Sequence, residues 1–262
     1  MERRAAVRFL VVDVGNTSTA AGLWTDGAVT RVSHMDGGIL GDPDGMRKAV
    51  EKALAGLRAP VPAAVASVVP AADGPWKKLL ESAAGVSAAL FIDARTPSPV
   101  RVDYPKKSSV GADRLADAAG AFDRYGGPVL VADFGTALTV DAVTADARWI
   151  GGCIAPGLPL MRDYLAERTA KLPRMKFGGP CPKIGRSTEQ AMRFGAEVGY
   201  RGMVREIART LSRNLGVRFR MVATGGYAAW SLRGLDMPVT VDPTLTLHGV
   251  GVIAKEAYGW KR

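Results

Sequence analysis

The sequence predicts an α/β protein assembled from two related halves. Three observations carry that expectation. Aliphatic strand-like runs alternate with helix-like runs along the chain. The stretch "FLVVDVGNTSTAAG" has an echo in "VLVADFGTALTVDA", which sets Asp13 over Asp133 and Gly15 over Gly135. The chain, at 262 residues and 47% hydrophobic, is also long enough for one large domain or two of ordinary size. Each copy of the repeat is an aliphatic strand, an aspartate, one apolar residue, a glycine and hydroxyl side chains, and each runs on into a second strand. One such match is within reach of chance. Two, a domain's length apart, point to a duplication that carries two copies of one loop.

The elements follow in order. "RFLVVDV" is a strand, and "TAAGLWTDG" is its hairpin partner with Asp26-Gly27 as a turn. "DGMRKAVEKALAGL" is a helix capped at its start by Asp44. "PAAVASVVP" is a buried strand ended by Pro70, "GPWKKLLESAAG" a helix stopped by Gly85, and "SAALFID" another strand. The Pro- and Ser-rich segment 93–109 is a linker or a substrate loop. "GADRLADAAGAFDRYGG" is a helix, and "PVLVADF" is the strand that begins the second copy. In "RGMVREIARTLSRNLG", Arg201, Arg205, Arg209 and Arg213 recur every four residues, with Val204, Ile207, Ala208, Leu211 and Leu215 opposite. That is an amphipathic helix with a solvated arginine side. "RMVATGGYAAW" is a strand, a glycine turn and a helix start.

Composition excludes several classes. No apolar run reaches the ~18 residues of a membrane helix. "MERRAAVRFLVV" is not expected to be a secretory leader, because Asp13 and Asn16 interrupt it and no small-residue cleavage site follows. Two cysteines, Cys153 and Cys181, without paired metal spacing argue against a disulfide scaffold or zinc site and fit a reducing cytoplasm. The net charge of +10 fits anionic partners such as nucleotides or phosphorylated metabolites. Nucleic acid is not expected, since no aromatic residues interleave with the arginines as a single-strand platform requires.

The two loops have a chemistry in common. A glycine lets the backbone turn sharply and brings N–H groups close to a ligand, and successive N–H groups form an anion nest. Asn16, Thr17 and Ser18 add side-chain donors. A carboxylate at the strand tip repels phosphate unless a cation stands between them, so the pattern suits a nucleotide phosphate with Mg²⁺. An ordinary hairpin, in which Asp13 and Asn16 satisfy their own turn, explains one loop alone; the pair favours phosphate binding. Thr224-Gly225-Gly226 is a third place for close backbone approach, to a base or to phosphate, or else a plain strand-to-helix turn. Asp113 in "GADR" reads equally as a helix-start carboxylate favoured by the dipole. His34 and His248 are isolated and are expected to be packed or surface groups. Cys153 is expected to be a small buried residue and Asp141 a structural one.

Together the loops resemble the acetate and sugar kinase/heat-shock/actin superfamily, and within it the chain resembles the type III pantothenate kinases. The resemblance rests on "DVGNT", "ASVVP", "GADR", "DFGTALTVD", "GGCIAPGLPLM" with "TAKLP", "STEQAMRFGAEVGY", "ATGG" and "DPTLTLHGV". It implies two duplicated ribonuclease-H-like (actin-like ATPase) domains with mixed sheets flanked by helices. Their bounds would be 1–112, with the first phosphate loop, and 113–262, with the second phosphate loop and the adenosine loop. It implies a kinase that uses ATP to phosphorylate pantothenate to 4'-phosphopantothenate, the first step of coenzyme A biosynthesis. Asp13, Val14, Gly15, Asn16, Thr17, Ser18, Thr19 and Ala20 would hold the ATP phosphates, with Asp13 toward Mg²⁺, directly or through water. Thr136, Gly225 and Gly226 would touch the nucleotide. Asp133 would ligate a monovalent cation, K⁺ or NH₄⁺. Asp113 would be the general base, and Tyr104, Gly111, Ala112, Asp113, Arg114 and Thr188 would line the pantothenate pocket. A cytoplasmic homodimer is implied as well, with "GGCIAPG" near its interface. Two departures bear on substrate contacts: Lys106 and Lys107 fall where many members carry Asn-Pro, and Ser187-Thr188 stands where Asn-Thr is usual. The alternatives are a kinase for another small hydroxylated substrate and a non-catalytic nucleotide-binding regulator of the same fold.

Overall fold

The computed structural model describes residues 6–36, 42–176 and 178–260, so the first five residues of the segment weighed as a leader lie outside it. The chain forms two compact units. The first runs up to Gly126 and adds Ala147–Ile150 and the chain from Thr244 onward; the second holds Gly127–Asp146 and Gly151–Pro243.

In the first unit, β1 (Arg8–Val14), β2 (Ser18–Thr25), β3 (Ala28–Asp36), β4 (Val61–Ser67) and β5 (Val86–Phe91) form a sheet in the order β3-β2-β1-β4-β5. β1 is antiparallel to β2 and parallel to β4. Phe9 to Val12 are completely buried, which is why the strand reads as an unbroken hydrophobic run rather than an alternation. Leu10, Val12 and Val14 pack into one core with α1 (Pro43–Leu54) and α2 (Pro70–Ser82), through Met46, Ala49, Val50, Trp76 and Leu80. Phe9, at the alternate parity, packs instead at a tilt on Trp24 and stacks on Tyr258 and Trp260. Also in this unit are the two-residue β6 (Arg101–Val102), α3 (Ala112–Tyr125) and α7 (Leu245–Ala257).

Three local expectations are corrected. The α1 cap is Asp42, whose Oδ1 accepts from Gly45 N at 2.7 Å, and not Asp44, because Pro43 already occupies the first helical position. Pro70 opens α2 rather than closing β4, again as a first-turn proline whose missing N–H has no helical partner to lose. α2 ends at Ser82 with an extended Ala83; Gly85 is not its stop but packs on Leu54, where a Cβ would lie 2.8 Å from Cδ1.

The second sheet has the order β11-β10-β7-β8-β9-β6, with β7 (Val129–Phe134), β8 (Ala137–Val143), β9 (Arg148–Pro156), β10 (Arg220–Thr224) and β11 (Thr240–Val241). β7 is antiparallel to β8 and parallel to β10, which is parallel to β11. The run β9-β8-β7-β10-β11 thus repeats β3-β2-β1-β4-β5, strand for strand. The duplicated mixed-sheet α/β fold expected from the two loops is the fold observed.

α4 (Leu158–Arg168), α5 (Thr188–Leu215) and the short α6 (Ala228–Ser231) complete the second unit. α5 begins well before the arginine stretch that announced it. Ala196, Tyr200, Val204 and Ala208 form its buried stripe, whereas Leu215, expected on that face, is 41% exposed at the helix end. Gly216, in the left-handed region at φ 63°, closes the helix. On its arginine side, Arg205 pairs with Asp236 at 2.6 Å and Arg201 donates to Arg233 O at 2.8 Å. Among the described residues no helix is long and apolar enough to cross a membrane.

Candidate active site

The first loop is a tight hairpin at the carboxyl ends of parallel strands, the edge where α/β sheets bind ligands. Asp13 faces Ala20 and Val14 faces Thr19 across the hairpin, and Gly15 N donates to Ser18 O at 3.0 Å. A Cβ on Gly15 would stand only 3.0 Å from the same oxygen, so a side chain there would force the turn to open slightly. Asn16, Thr17 and Ser18 are exposed at the tip, Asp13 is half-buried and Thr19 is buried.

"GADR" lies beside that loop. Val68 N donates to Val14 O at 3.1 Å, and a Cβ on Gly111 would be 3.4 Å from Val68 Cγ1. The chain Val14–Val68–Gly111 therefore brings the first loop and the start of α3 together. Gly111 is the N-cap of α3 and a side chain on it would collide with Asp113 Oδ1. Asp113, half-buried, accepts from Arg114 N at 2.7 Å and sits in the first helical turn, where a carboxylate is favoured by the dipole. Ala112 is buried, and Arg114 is 9% exposed with its guanidinium 5.2 Å from the centroid of the Trp149 ring. The ring of Tyr104 stacks on the same tryptophan at 5.8 Å and 19°. Trp149 was not singled out from sequence, because a tryptophan in an apolar strand carries no signal that separates it from core. Lys106 and Lys107 are exposed and lead into a single 3₁₀ turn, Lys107–Ser109, closed by Ser109 Oγ donating to Lys106 O at 2.7 Å.

The second loop repeats the first with one residue fewer: Asp133 faces Thr139, and Gly135 N donates to Ala137 O at 3.1 Å. Two glycines pack on it. A Cβ on Gly157, the last residue of "GGCIAPG", would collide with Thr136 O, and one on Gly225 would collide with Asp133 Oδ1. Gly225 is also in the left-handed region at φ 90°, and Tyr227 N donates to Phe134 O at 3.1 Å. The structure thus gathers Asp133, Thr136 and Gly225 in the second unit; Gly226 is exposed next to them. Tyr200 is buried close to this loop, and burial first, with the charge of Asp133 second, pushes its phenol above the ordinary range. Thr188 is exposed in the first turn of α5. Ser187 caps that helix by accepting from Gln190 N at 3.2 Å, while Gln190 Oε1 accepts from Arg186 N at 3.0 Å. The departure from Asn to Ser therefore preserves the cap. Asp163 accepts from both Arg162 (2.6 Å) and Arg174 (2.7 Å), which hold its carboxyl well below the usual carboxylate range.

Among the described residues no three His, Cys, Asp or Glu side chains gather as a metal cluster. Any cation at Asp13 or Asp133 would draw its other ligands from hydroxyls, carbonyls, phosphates and water, a hard-oxygen set suited to Mg²⁺ and K⁺.

The comparisons with known proteins agree with this geometry. The sequence pattern of a family described as Type III pantothenate kinase matches residues 9–210. A type III pantothenate kinase of Akkermansia muciniphila is 39% identical over 246 residues, covering 94% of this chain and 98% of that protein. One of Myxococcus xanthus is 34% identical over 93% of this chain and 96% of its own. In structure, the chain is similar to the ethanolamine utilization protein EutJ of Carboxydothermus hydrogenoformans, with a TM-score of 0.57 at 14% identity over 95% of this chain and 91% of that one. It is also similar to a Campylobacter jejuni protein described as a Baf-family transcriptional activator, with a TM-score of 0.59 at 17% identity over 95% and 99%. At those identities the structures speak to the fold alone. The repeated strand order, the two Asp-x-Gly hairpins and the sequence match along most of the chain place this protein in the type III pantothenate kinase family.

Proposed function

We propose that the protein transfers the γ-phosphoryl group of ATP to pantothenate, giving 4'-phosphopantothenate, the first step of coenzyme A biosynthesis. One observation carries the reading: the Asp113 carboxylate, at the start of α3, is held beside the first Asp-x-Gly loop through Gly111, Val68 and Val14. Phosphoryl transfer asks for positioning and charge stabilisation more than covalent chemistry. Asp13 to Ala20 would hold the phosphates with backbone and hydroxyl donors, and Thr136, Gly225 and Gly226 would hold the nucleotide. Asp113 would orient the substrate hydroxyl and accept its proton late in the transfer. Tyr104, Gly111, Ala112, Arg114 and Thr188 would contact pantothenate, with Arg114 matched to its carboxylate. Asp13 fits Mg²⁺ and Asp133 a monovalent cation, K⁺ or NH₄⁺. Held by Asp13 and Asp133, such cations would supply charge that offsets the phosphate negative charge.

The protein is further read as a cytoplasmic homodimer, with the repeat boundary at residues 112 and 113. Ile154 on β9 and Leu160 and Tyr164 on α4 are 64%, 46% and 63% exposed, an apolar cost that a second copy would remove. ADP release tests the activity, with pantothenate and with other small hydroxylated acceptors, with and without potassium. Potassium-dependent release with pantothenate is expected. Nucleotide binding without turnover of any acceptor would overturn the reading in favour of a regulator, and preference for another acceptor would overturn the substrate.

A further inference from the structure

Trp149 is completely buried, but it is not packed as ordinary core. The Tyr104 ring stacks on it at 5.8 Å, and the guanidinium of Arg114 stands 5.2 Å from its centroid. These three residues come from three separate segments of the first unit. The backbone secures the arrangement. β6 runs parallel to β9 with Val102 opposite Trp149, and Asp103 N donates to Trp149 O at 2.9 Å, so the strand that carries the tryptophan also sets the chain entering Tyr104. Arg148 pairs with Asp103 at 3.3 Å across the same join. We propose that Trp149 is a positioning residue that aims Arg114 and Tyr104 at the acid group of the substrate.

The physical reason lies in the arginine. A guanidinium taken out of water loses hydration, and an aromatic face returns part of that loss through its quadrupole. A guanidinium held against a ring can still donate from its planar fork to a carboxylate. A long side chain with several rotatable bonds otherwise pays entropy to be held in one orientation, and contact with a buried ring restricts it before substrate arrives. Trp149 therefore acts on recognition of the anion and not on the transferred phosphoryl group.

The inference rests on the pantothenate reading, and the test separates the two. Trp149→Leu and Trp149→Phe are compared with wild type on pantothenate and on its neutral primary amide. Trp149→Leu is expected to raise KM for pantothenate by about tenfold, with kcat within about twofold and KM for the amide and for ATP little changed. Trp149→Phe, which keeps a ring face, is expected to raise it by only about two- to threefold. Equal losses on acid and amide, or a fall in kcat at constant KM, would overturn the proposal. If the leucine variant does not fold by circular dichroism, the phenylalanine variant carries the test, and the absence of an acid-selective rise overturns the proposal. A substrate-free readout accompanies the kinetics: the Arg114 Nε–Hε proton resonance, identified by its loss in Arg114→Lys, is expected to be ring-shifted in wild type and to move in both Trp149 variants. An unmoved resonance overturns the proposal whatever the substrate, whereas failure of the wild type to turn over pantothenate overturns only the reading on which the acid-selective kinetics rest.

Discussion

The carboxylate of Asp113 accepts from Arg114 N at 2.7 Å and offsets the positive end of α3, which decides what a substitution there can test. Asparagine keeps an oxygen for that N–H but has no basic carboxylate. Asp113→Asn is therefore expected to lower kcat at least about tenfold, within the range of general-base losses, with the melting curve nearly unchanged. Turnover at the wild-type rate would remove Asp113 from its assigned role. The neighbouring Gly111 belongs to the same device, since any side chain there would displace the carboxylate.

Helix α3 is held along its length by α7. Cβ atoms on Gly120 and Gly249 would collide with backbone of the other helix, so the two approach as closely as glycine permits. Thr246 donates to Asp117 at 2.7 Å and Arg124 donates to Thr244 at 3.1 Å. His248, 1% exposed, joins three elements: Trp24 Nε1 donates to its Nδ1 at 3.2 Å, and its Nε2 meets Asp123 Oδ2 at 2.9 Å. An indole N–H only donates, so Nδ1 carries no proton and the ring proton sits on Nε2, donating to Asp123. His248 is thus the packed group expected from sequence. His248→Leu leaves the Trp24 indole N–H without its acceptor and removes a donor from Asp123, and is expected to cost about 1–3 kcal/mol, read as a lower midpoint in urea denaturation. An unchanged midpoint would show that the relay contributes nothing.

At the scale of the molecule, the exposed apolar side chains of the second unit set the expectation for assembly. Leu160 and Tyr164 are four residues apart on α4 and so share a helix face. Sedimentation velocity is expected to give a dimer for wild type, shifted toward monomer by Leu160→Glu combined with Tyr164→Glu. A wild-type monomer at micromolar concentration would remove the dimer from the reading. The compact units also show how chain order and packing part company. The C-terminal helix α7, last in sequence, packs with α3 in the unit that contains the N-terminal sheet.

The sequence by itself determined the two Asp-x-Gly hairpins, the strands that carry them and the duplicated α/β fold. Each of these depends on short-range facts: an unbroken aliphatic run, a glycine at a turn, an aspartate at a strand end. Their repetition made the two halves recognisable. Helix starts were less legible, because Pro43 and Pro70 serve equally as breakers and as first helical residues until the cap at Asp42 and the end of β4 at Ser67 are seen. Only the tertiary structure decided that Val14, Val68 and Gly111 meet, that Trp24, His248 and Asp123 form one hydrogen-bonded line, and that Tyr104 and Arg114 both pack on the ring of Trp149. Those contacts join residues far apart in the chain, where no local period or turn chemistry records the partner, and they exist only once burial has packed the strands and helices together.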